Sequence, residues 1–355
     1  MRVGVLMSGG VDSSVAAWLL REQGYAVTAL TMWNWSPAVP AQAARVACHL
    51  GLEHLVLDLR REFRQAVVDY FVRSYQEGLT PNPCVACNEQ VKFGLLLEKA
   101  LEVGCERVAS GHYARTWWDE QRGRYLLARG RDRRKDQSYF LYRLRQEQLA
   151  RLLLPLGDLT KEEVRQLAVQ QRIPAAGGES QEVCFIAGDY RDFLREAGVR
   201  ARPGDIVDGR GRVLGRHQGL PFYTVGQRRG LGVAAGQPLY VVELDVAGNR
   251  LVVGTEAELH RSCMVARANN FVAVAGLDGE TEALVQVRYR ARPAPALLKA
   301  HAETVEVCFR QGQRAICPGQ SAVYYQEDLV LGGGIIERVC REGRDEAGGV
   351  GGSAD

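Results

Sequence analysis

Three short stretches hold residues whose types and spacing can do chemistry. The first is Ser8-Gly9-Gly10-Val11-Asp12-Ser13-Ser14, preceded by the apolar run Val3-Gly4-Val5-Leu6. Such a run suits a buried parallel strand, and residues 15–20 read as an amphipathic helix. A strand, a glycine-rich turn and a helix N-terminus together make an anion site, because free N–H groups and the positive dipole end converge on a phosphate. Gly9 and Gly10 let the backbone come close to it. The bland alternative is a tight turn that happens to carry two glycines. The second stretch is Pro81-Asn82-Pro83-Cys84-Val85-Ala86-Cys87-Asn88. The prolines keep it irregular and Asn88 can open the next helix, so Cys87 is expected near a helix N-terminus, where the dipole favours thiolate. A C-x-x-C pair fits a redox couple, half a zinc site or part of an iron–sulfur site. No second C-x-x-C exists, and Cys48 and Cys105 read as ordinary buried thiols. The third stretch sets a lone Cys184 between polar residues 179–182 and Phe185-Ile186.

The elements that must position these groups alternate strand and helix. Strands are expected at 27–32, 53–59 and 107–110, and helices at 41–49, 61–75 and 91–102. This rhythm predicts an α/β fold with a doubly wound parallel sheet. Ligands in such sheets sit beyond the carboxyl ends of the strands. Ser8-Gly9-Gly10, Met32 and Gly111 all fall at such ends. His112, next to Gly111, reads as a general acid, a base contact or a packed structural histidine.

Residues 117–135 form a polar, arginine-rich excursion ending in Arg129-Gly-Arg-Asp-Arg-Arg-Lys135, with five positive charges against one negative. It runs into Asp136-Gln137-Ser138-Tyr139-Phe140. Such a run is either a solvated face or a set of phosphate contacts with stacking groups beside it. Thr160-Lys-Glu-Glu163 is a capping box opening a helix to about residue 171, and 190–196 reads as the last helix. From Arg202 onward the rhythm changes. Asp208-Gly209 signals a hairpin, 239–245 pairs naturally with 250–254, and short strands follow at 283–289, 304–309, 321–325 and 329–336. The expected organisation is a catalytic domain (1–200), a small central β domain (201–262), a barrel-like β domain (263–341) and a disordered tail (342–355).

Composition sets bounds. The 355 residues are 46% hydrophobic and 25% charged, as in ordinary soluble globular proteins. No apolar run approaches the ~20 residues needed to span a bilayer. The chain starts directly on a strand, so no signal peptide is expected and the reading is cytoplasmic. There the nine cysteines should be mostly reduced, and clustered ones point to catalysis or metal. Net charge is +3; the last fifteen residues hold two basic and four acidic groups, so the body carries +5. That permits a local nucleic-acid patch without requiring one.

The turn resembles the PP-loop of ATP pyrophosphatases; neither the Walker pattern nor G-x-G-x-x-G is present. More closely, S-G-G-V-D-S, T-P-N-P-x-x-x-C-N, G-H-Y-A-R, K-D-Q-S-Y-F-L-Y, C-F-I, Y-T-V-G-Q-R-R-G-L-G, P-G-Q-S-A-V-Y-Y and L-G-G-G-I-I, in this order over residues 1–340, resemble the bacterial tRNA-specific 2-thiouridylases. The resemblance implies a sulfurtransferase that replaces the C2 oxygen of the wobble uridine in tRNAs for Lys, Glu and Gln by sulfur. ATP adenylates that oxygen, pyrophosphate leaves, and sulfur displaces AMP. It implies that Leu6, Met7, Ser8, Gly9, Gly10, Val11, Asp12 and Ser13, with Met32 and Gly111, bind ATP, and that Asp12 helps hold Mg²⁺. It makes Cys87 the nucleophile and Cys184 the persulfide carrier. Cys184 then attacks the activated carbon through its persulfide and Cys87 helps release sulfide, leaving a Cys87–Cys184 disulfide. Asn82, Pro83 and Cys84 are placed against the target base, and His112, Lys135, Asp136, Gln137, Arg288, Tyr289 and Gln320 at tRNA-contacting positions. The implied partners are tRNA and a sulfur-donor protein or sulfide, with no membrane.

The chain departs from the common family pattern in two places. Cys84 stands where many members carry an aspartate. With Cys87 and Cys184 it makes three cysteines around one site, the number some thiolation enzymes use to hold a 4Fe–4S cluster whose open iron binds sulfide. A short loop, 37–44, replaces a longer insertion after Met32-Trp33-Asn34-Trp35. Two other classes account for part of the pattern. A PP-loop ligase adenylating a small metabolite explains residues 8–13 but not the cysteines. A non-enzymatic RNA-binding or iron–sulfur protein explains the charges and cysteines but not the loop.

Overall fold

A computed structural model describes residues 1–175 and 183–340. The expected tail and residues 179–182 lie outside the described residues. Five strands form the first sheet: β1 (Arg2–Leu6), β2 (Ala26–Trp33), β3 (Glu53–Asp58), β4 (Arg107–Ala109) and, later in the chain, β7 (Leu152–Leu153). Their order is β3-β2-β1-β4-β7, and every pairing is parallel. The chain winds outward from β1 through α1 (Val11–Glu22) and α2 (Ala38–His49), then returns to pair β4 on the other side of β1. The switch point of this doubly wound sheet therefore lies between the carboxyl ends of β1 and β4, where a ligand crevice opens. Val3 and Val5 are fully buried beneath Val15, Ala16 and Ala17 of α1, so the strand and the helix that frame the loop belong to one core.

Two helices carry the thiol side of the domain, and each changes pitch. The first runs Arg60–Phe63, a π-helical Arg64–Val68, and Asp69–Gln76; the second runs Pro83–Ala86, a π-helical Cys87–Leu95, and Leu96–Glu102. The second corrects the expected start at Asn88. Pro83 sits at the first helical turn with Asn82 before it. Proline there sacrifices no hydrogen bond and has its φ preset for the helix. Cys87 thus lies more than one turn inside the helix rather than at its N-terminus.

The arginine-rich excursion, given no secondary structure in the sequence reading, has regular structure. Its first part is a β-hairpin of β5 (Ala114–Asp119) and β6 (Arg124–Arg129). It is attached to the C-terminal sheet through Ala128 opposite Leu329. A separate four-stranded sheet contains β8 (Gly204–Val207), β9 (Val213–His217), β10 (Tyr240–Asp245) and β11 (Arg250–Gly254), in the order β10-β11-β8-β9. The expected hairpins are both present. The last six strands are β12 (His260–Phe271), β13 (Glu280–Gln286), β14 (Ala294–Ala300), β15 (Thr304–Arg314), β16 (Ser321–Gln326) and β17 (Leu329–Val339). They follow the order β12-β15-β14-β13-β16-β17 and close through a β12–β17 pairing, which makes a six-stranded antiparallel barrel. β7, β12 and β14 were not expected from sequence. No helix among the described residues is long and apolar enough to cross a membrane.

Seven cysteines are free, and Cys263 and Cys340 form a disulfide pair. Cys105 is buried as expected, whereas Cys48 is exposed. It lies on the outer side of α2, away from the buried Ala43, Val46 and Ala47.

Candidate active site

The anion cradle is built by local bonds. Gly10 caps α1. Ser13 Oγ accepts from Ser8 N at 3.2 Å and donates to Gly10 O at 3.1 Å, while Ser14 Oγ donates to Gly10 O at 2.8 Å. Gly9 holds φ +77°, and a Cβ there would lie 2.6 Å from Gln42 Cγ and 2.9 Å from Ala43 N. Glycine is required on both counts. Gly111, arriving from β4, packs so closely on the helix N-terminus that a Cβ would lie 2.7 Å from Asp12 C and 2.8 Å from Ser13 N. Leu6, Met7, Val11 and Met32 complete the surroundings: Met7 N donates to Leu30 O at 2.8 Å, and Met32 lies near the end of β2. Eight of the ten residues expected at the nucleotide are thus contiguous from Leu6 to Ser13, and Gly111 packs directly on two of them.

Asp12 has partners that sequence reasoning missed. Lys161 Nζ lies 2.6 and 2.7 Å from its two carboxylate oxygens, and Tyr113 Oη donates to Oδ1 at 2.7 Å. Burial, then the Asp12 charge, push the Tyr113 phenol well up, so it stays a donor. Lys161 is the first residue of the helix opened by the Thr160 capping box. That box was visible in the sequence, but its proximity to Asp12 was not. An oxygen donor at a phosphate cradle fits Mg²⁺, a hard cation that prefers carboxylate and phosphate oxygens. Lys161 meanwhile supplies the positive charge there.

Three thiols lie near enough to one another and to Lys92 to feel each other's charge. Cys84 is half-buried, Cys87 is buried and Cys184 is exposed. Burial pushes all three thiols up, Cys87 to about 12; Lys92 pulls each of them down. The expected lowered Cys87 thiol is therefore corrected. Its helix starts at Pro83, its position is desolvated, and the ground state is thiol rather than thiolate. The sulfurs feel one another's charge: Cys184 raises Cys84 and Cys87, and Cys84 also raises Cys87. The ligand atoms of Cys84, Cys87 and Cys184 do not all lie within 4.8 Å of one another. Cys184 is held at the surface by its neighbour Phe185, which packs on Phe63, Phe71 and Phe193 with ring centroids 5.3–5.8 Å apart. Asn34 Nδ2 lies 3.9 Å from the Cys184 sulfur. Lys92, also missed in the sequence, is the cation common to the three thiols.

His112 is neutral. Burial, with Lys92 adding to it, drives its imidazole well below the usual range, and Nδ1 is 2.8 Å from Ser110 Oγ. A hydrogen-bonding role follows; a resting-state acid does not.

The expected tRNA-contacting residues divide into two groups. In the first, Tyr289 lies against Phe140 with ring centroids 4.3 Å apart and feels Cys84, while Asn82 hydrogen-bonds Tyr139 and Pro83 opens the helix that carries Cys84. The others mainly brace loops. Gln320 donates to Thr80 O and Pro81 O at 3.1 and 3.0 Å, so the barrel grips the segment that leads into the thiol helix. Arg288 bonds Val225 O and the Cys317 sulfur. Asp136 accepts from Gly130 N, Ser138 N and Ser138 Oγ at 3.0–3.1 Å, and its burial raises it. Gln137 accepts from Tyr113 N at 3.1 Å, and Lys135 lies on the loop between. The basic run is largely neutralised in place: Arg131 pairs with Glu163, Arg133 with Asp328 and Arg134 with Asp132. Arg131 and Arg133 remain about half exposed. Asn88, buried beside Cys87, donates to Phe140 O at 3.1 Å and leaves its Oδ1 without a partner. A cavity of about 190 Å³ lies beside this helix, lined by Asn82, Glu89 and Arg143 among others, and does not reach the three thiols.

A doubly wound parallel sheet with this cradle at its switch point places the chain in the PP-loop, or HUP, class of nucleotide-binding proteins. Family models cover nearly all of it. The tRNA methyl transferase HUP domain matches residues 1–188, the tRNA methyl transferase PRC-barrel domain 191–255, and the Aminomethyltransferase beta-barrel domain 261–336. The tRNA-specific 2-thiouridylase MnmA of Syntrophomonas wolfei is 52% identical over 338 residues, covering 95% of this chain and all of that protein. Those of Moorella thermoacetica and Desulforudis audaxviator are each 50% identical, covering 95% and 96% of this chain and 99% of each relative. The chain belongs to the tRNA-specific 2-thiouridylase family.

Proposed function

We propose that this protein is a tRNA-uridine 2-sulfurtransferase acting in the cytoplasm on the wobble uridine of tRNAs for Lys, Glu and Gln. The observation that supports this reading is a pyrophosphate-type cradle linked, through Gly111 and its neighbour His112, to Lys92, the cation that acts on three thiols from two distant segments. Methyl transfer, which two of the matching domain descriptions name, has no use for either feature.

A uridine C2 oxygen is a poor leaving group. Its attack on the α-phosphorus of ATP expels pyrophosphate and turns it into the oxygen of an AMP ester. The N-terminus of α1 and Lys161 stabilise the charge that builds on the departing group. Mg²⁺, when held by Asp12, neutralises that charge further. A Cys184 persulfide then attacks C2 and AMP leaves, which joins the base to Cys184 through the outer sulfur. Cys87 attacks the Cys184 sulfur, closes the Cys87–Cys184 disulfide and releases the thiolated base. An external dithiol restores both cysteines. Exposed Cys184 is open to a sulfur donor, whereas buried Cys87 is shielded from wasteful exchange until the base is in place.

The action of Cys84 on Cys87 supports a second reading. Cys84, Cys87 and Cys184 would hold a 4Fe–4S cluster, which supplies an open iron for sulfide. One experiment separates the readings. Anaerobically purified protein is assayed for iron and acid-labile sulfide, then for 2-thiouridine and AMP with unmodified tRNA, ATP and a persulfide donor. One AMP per 2-thiouridine, no iron, and loss of product in Cys87→Ser and Cys184→Ser support the persulfide route. Iron that disappears in Cys84→Asp, along with activity, supports the cluster. No tRNA-dependent AMP in any condition refutes the sulfurtransferase assignment.

A further inference from the structure

A second group of soft ligands lies on the barrel, apart from the crevice. In β12 and β15, Cys263 stands opposite Cys308 and Val265 opposite Glu306, while the intervening pair Met264 and Val307 is fully buried. Alternation therefore puts Cys263, Glu306 and Cys308 together on the outer face. Cys340, just past β17, donates its N–H to Cys263 O at 3.1 Å, and its Cα lies 5.2 Å from that of Cys263. Glu306 Oε1 is 3.4 Å from the Cys263 sulfur. The ligand atoms of Cys263, Cys340 and Glu306 all lie within 4.8 Å of one another. His301 Nε2 adds an imidazole 3.7 Å from Glu306 Oε2. Its backbone is fixed by reciprocal bonds with Thr304, His301 N to Thr304 O at 2.9 Å and the reverse at 3.2 Å.

We propose that Cys263, Cys340 and Glu306, with His301 as fourth ligand, bind a soft divalent cation of the zinc type when the two cysteines are reduced. A disulfide alone needs neither a carboxylate nor an imidazole beside it. Two thiols, a carboxylate and an imidazole are the donor set of a tetrahedral zinc site. With metal–sulfur bonds of ~2.3 Å and metal–oxygen or metal–nitrogen bonds of ~2.0–2.2 Å, ligand atoms stand roughly 3–4 Å apart; the Cys263 sulfur and Glu306 Oε1 already do, whereas the two sulfurs must part from their bonded distance and the His301 side chain must swing in for all four to meet one ion. A carboxylate next to two thiols opposes their ionisation, and a cation removes that opposition as the thiols release two protons. The ion would join β12 to the end of β17 across the seam where the barrel closes. The paired state seen in the structure is the closed form of the site. Reduction by two thiol equivalents, themselves oxidised to a disulfide, opens it.

The test is a Co²⁺ titration of the reduced full-length chain under argon, read by thiolate-to-cobalt charge-transfer absorption, with Zn²⁺ as competitor. It is run on the wild type and in a background where Cys84, Cys87 and Cys184 are serine, so that those thiols contribute nothing. One equivalent of Co²⁺ is expected in that background, lost in Cys263→Ser and in Cys340→Ser. Glu306→Gln, at a surface position that leaves the fold intact, should weaken binding at least about tenfold. Uptake that is the same with and without Cys263, or the same with Glu306→Gln, overturns the proposal. So does the absence of any cobalt–thiolate band once thiol counting shows both cysteines reduced.

Discussion

Cys87 should be a slow thiol in the free protein, and its slowness can be estimated. Burial raises its pKa from an ordinary 9.0 to about 12. Below pH 9 the thiolate fraction is therefore about a thousandfold smaller than for an unperturbed thiol. Thiolate nucleophilicity rises with pKa, with a Brønsted slope of ~0.4–0.5, which restores a factor of roughly 15–30. Alkylation of Cys87 should then run about 30- to 60-fold slower than that of a small free thiol of ordinary pKa, before any steric protection; exposed Cys48 serves as the internal control. The assay is iodoacetamide labelling of native protein between pH 6.5 and 9.5, with each cysteine followed by peptide mass spectrometry. Cys87 labelling should still be rising tenfold per pH unit at pH 9.5. Lys92→Met removes the one cation among the described residues that pulls this thiol down, and should slow labelling of Cys84, Cys87 and Cys184 together while leaving Cys48 unchanged. If Cys87 labels as fast as Cys48 at neutral pH, or reaches a plateau by pH 9, the argument from burial is wrong. Adding ATP and tRNA tests the catalytic corollary: the substrate complex must lower this barrier for disulfide closure to keep pace.

Three further outcomes follow from the crevice. Lys161→Ala leaves the Asp12 carboxylate, among the described side chains, with the Tyr113 bond; for a pair whose side chains are 15% and 35% exposed the expected loss is roughly 1–2 kcal/mol. Melting temperature should fall, and the Mg²⁺ dependence of AMP formation should move to lower Mg²⁺; an unchanged Mg²⁺ profile counts against competition for Asp12. Gly111→Ala forces a methyl group onto the backbone of Asp12 and Ser13, which should cost roughly 1–3 kcal/mol. Nucleotide affinity, measured by calorimetry, should drop while alkylation of Cys184 is unaffected. His112 is held neutral, with a folded pKa well below the unfolded value of 6.5. The unfolded chain therefore binds the extra proton first as pH falls, and stability present above pH 6.5 is lost below it. His112→Gln should flatten part of the stability decline between pH 6.5 and 5 in urea titrations; an unaltered slope would mean the imidazole is not the group responsible.

What could be read from the sequence, and what could not, divides by the range of the interactions involved. The cradle was legible because strand, turn and helix cap lie within about twenty residues and each has its own local signal. The helix around Cys87 was misplaced although its signal was present. Pro83 acts at the first turn of a helix as readily as it breaks one, and only packing of Val85, Val91 and Phe93 into the core decides between these. The hairpin at 114–129 was hidden by composition: its arginines bond backbone oxygens and Asp328 across the join to the barrel, so a polar surface run and an inserted strand pair look alike. Lys161 and Tyr113 reach Asp12 from 149 and 101 residues away, which no spacing rule reveals. Lys92 illustrates the subtler failure. It follows Cys87 by five residues, and in an α-helix that offset turns the two side chains about 140° apart. Cys87–Leu95 is π-helical, and an i→i+5 turn brings the lysine round toward the face that carries the sulfur. The one charge that tunes all three thiols is therefore set by a local change of pitch. A residue-by-residue reading that assumes α geometry points that lysine away from the chemistry it controls.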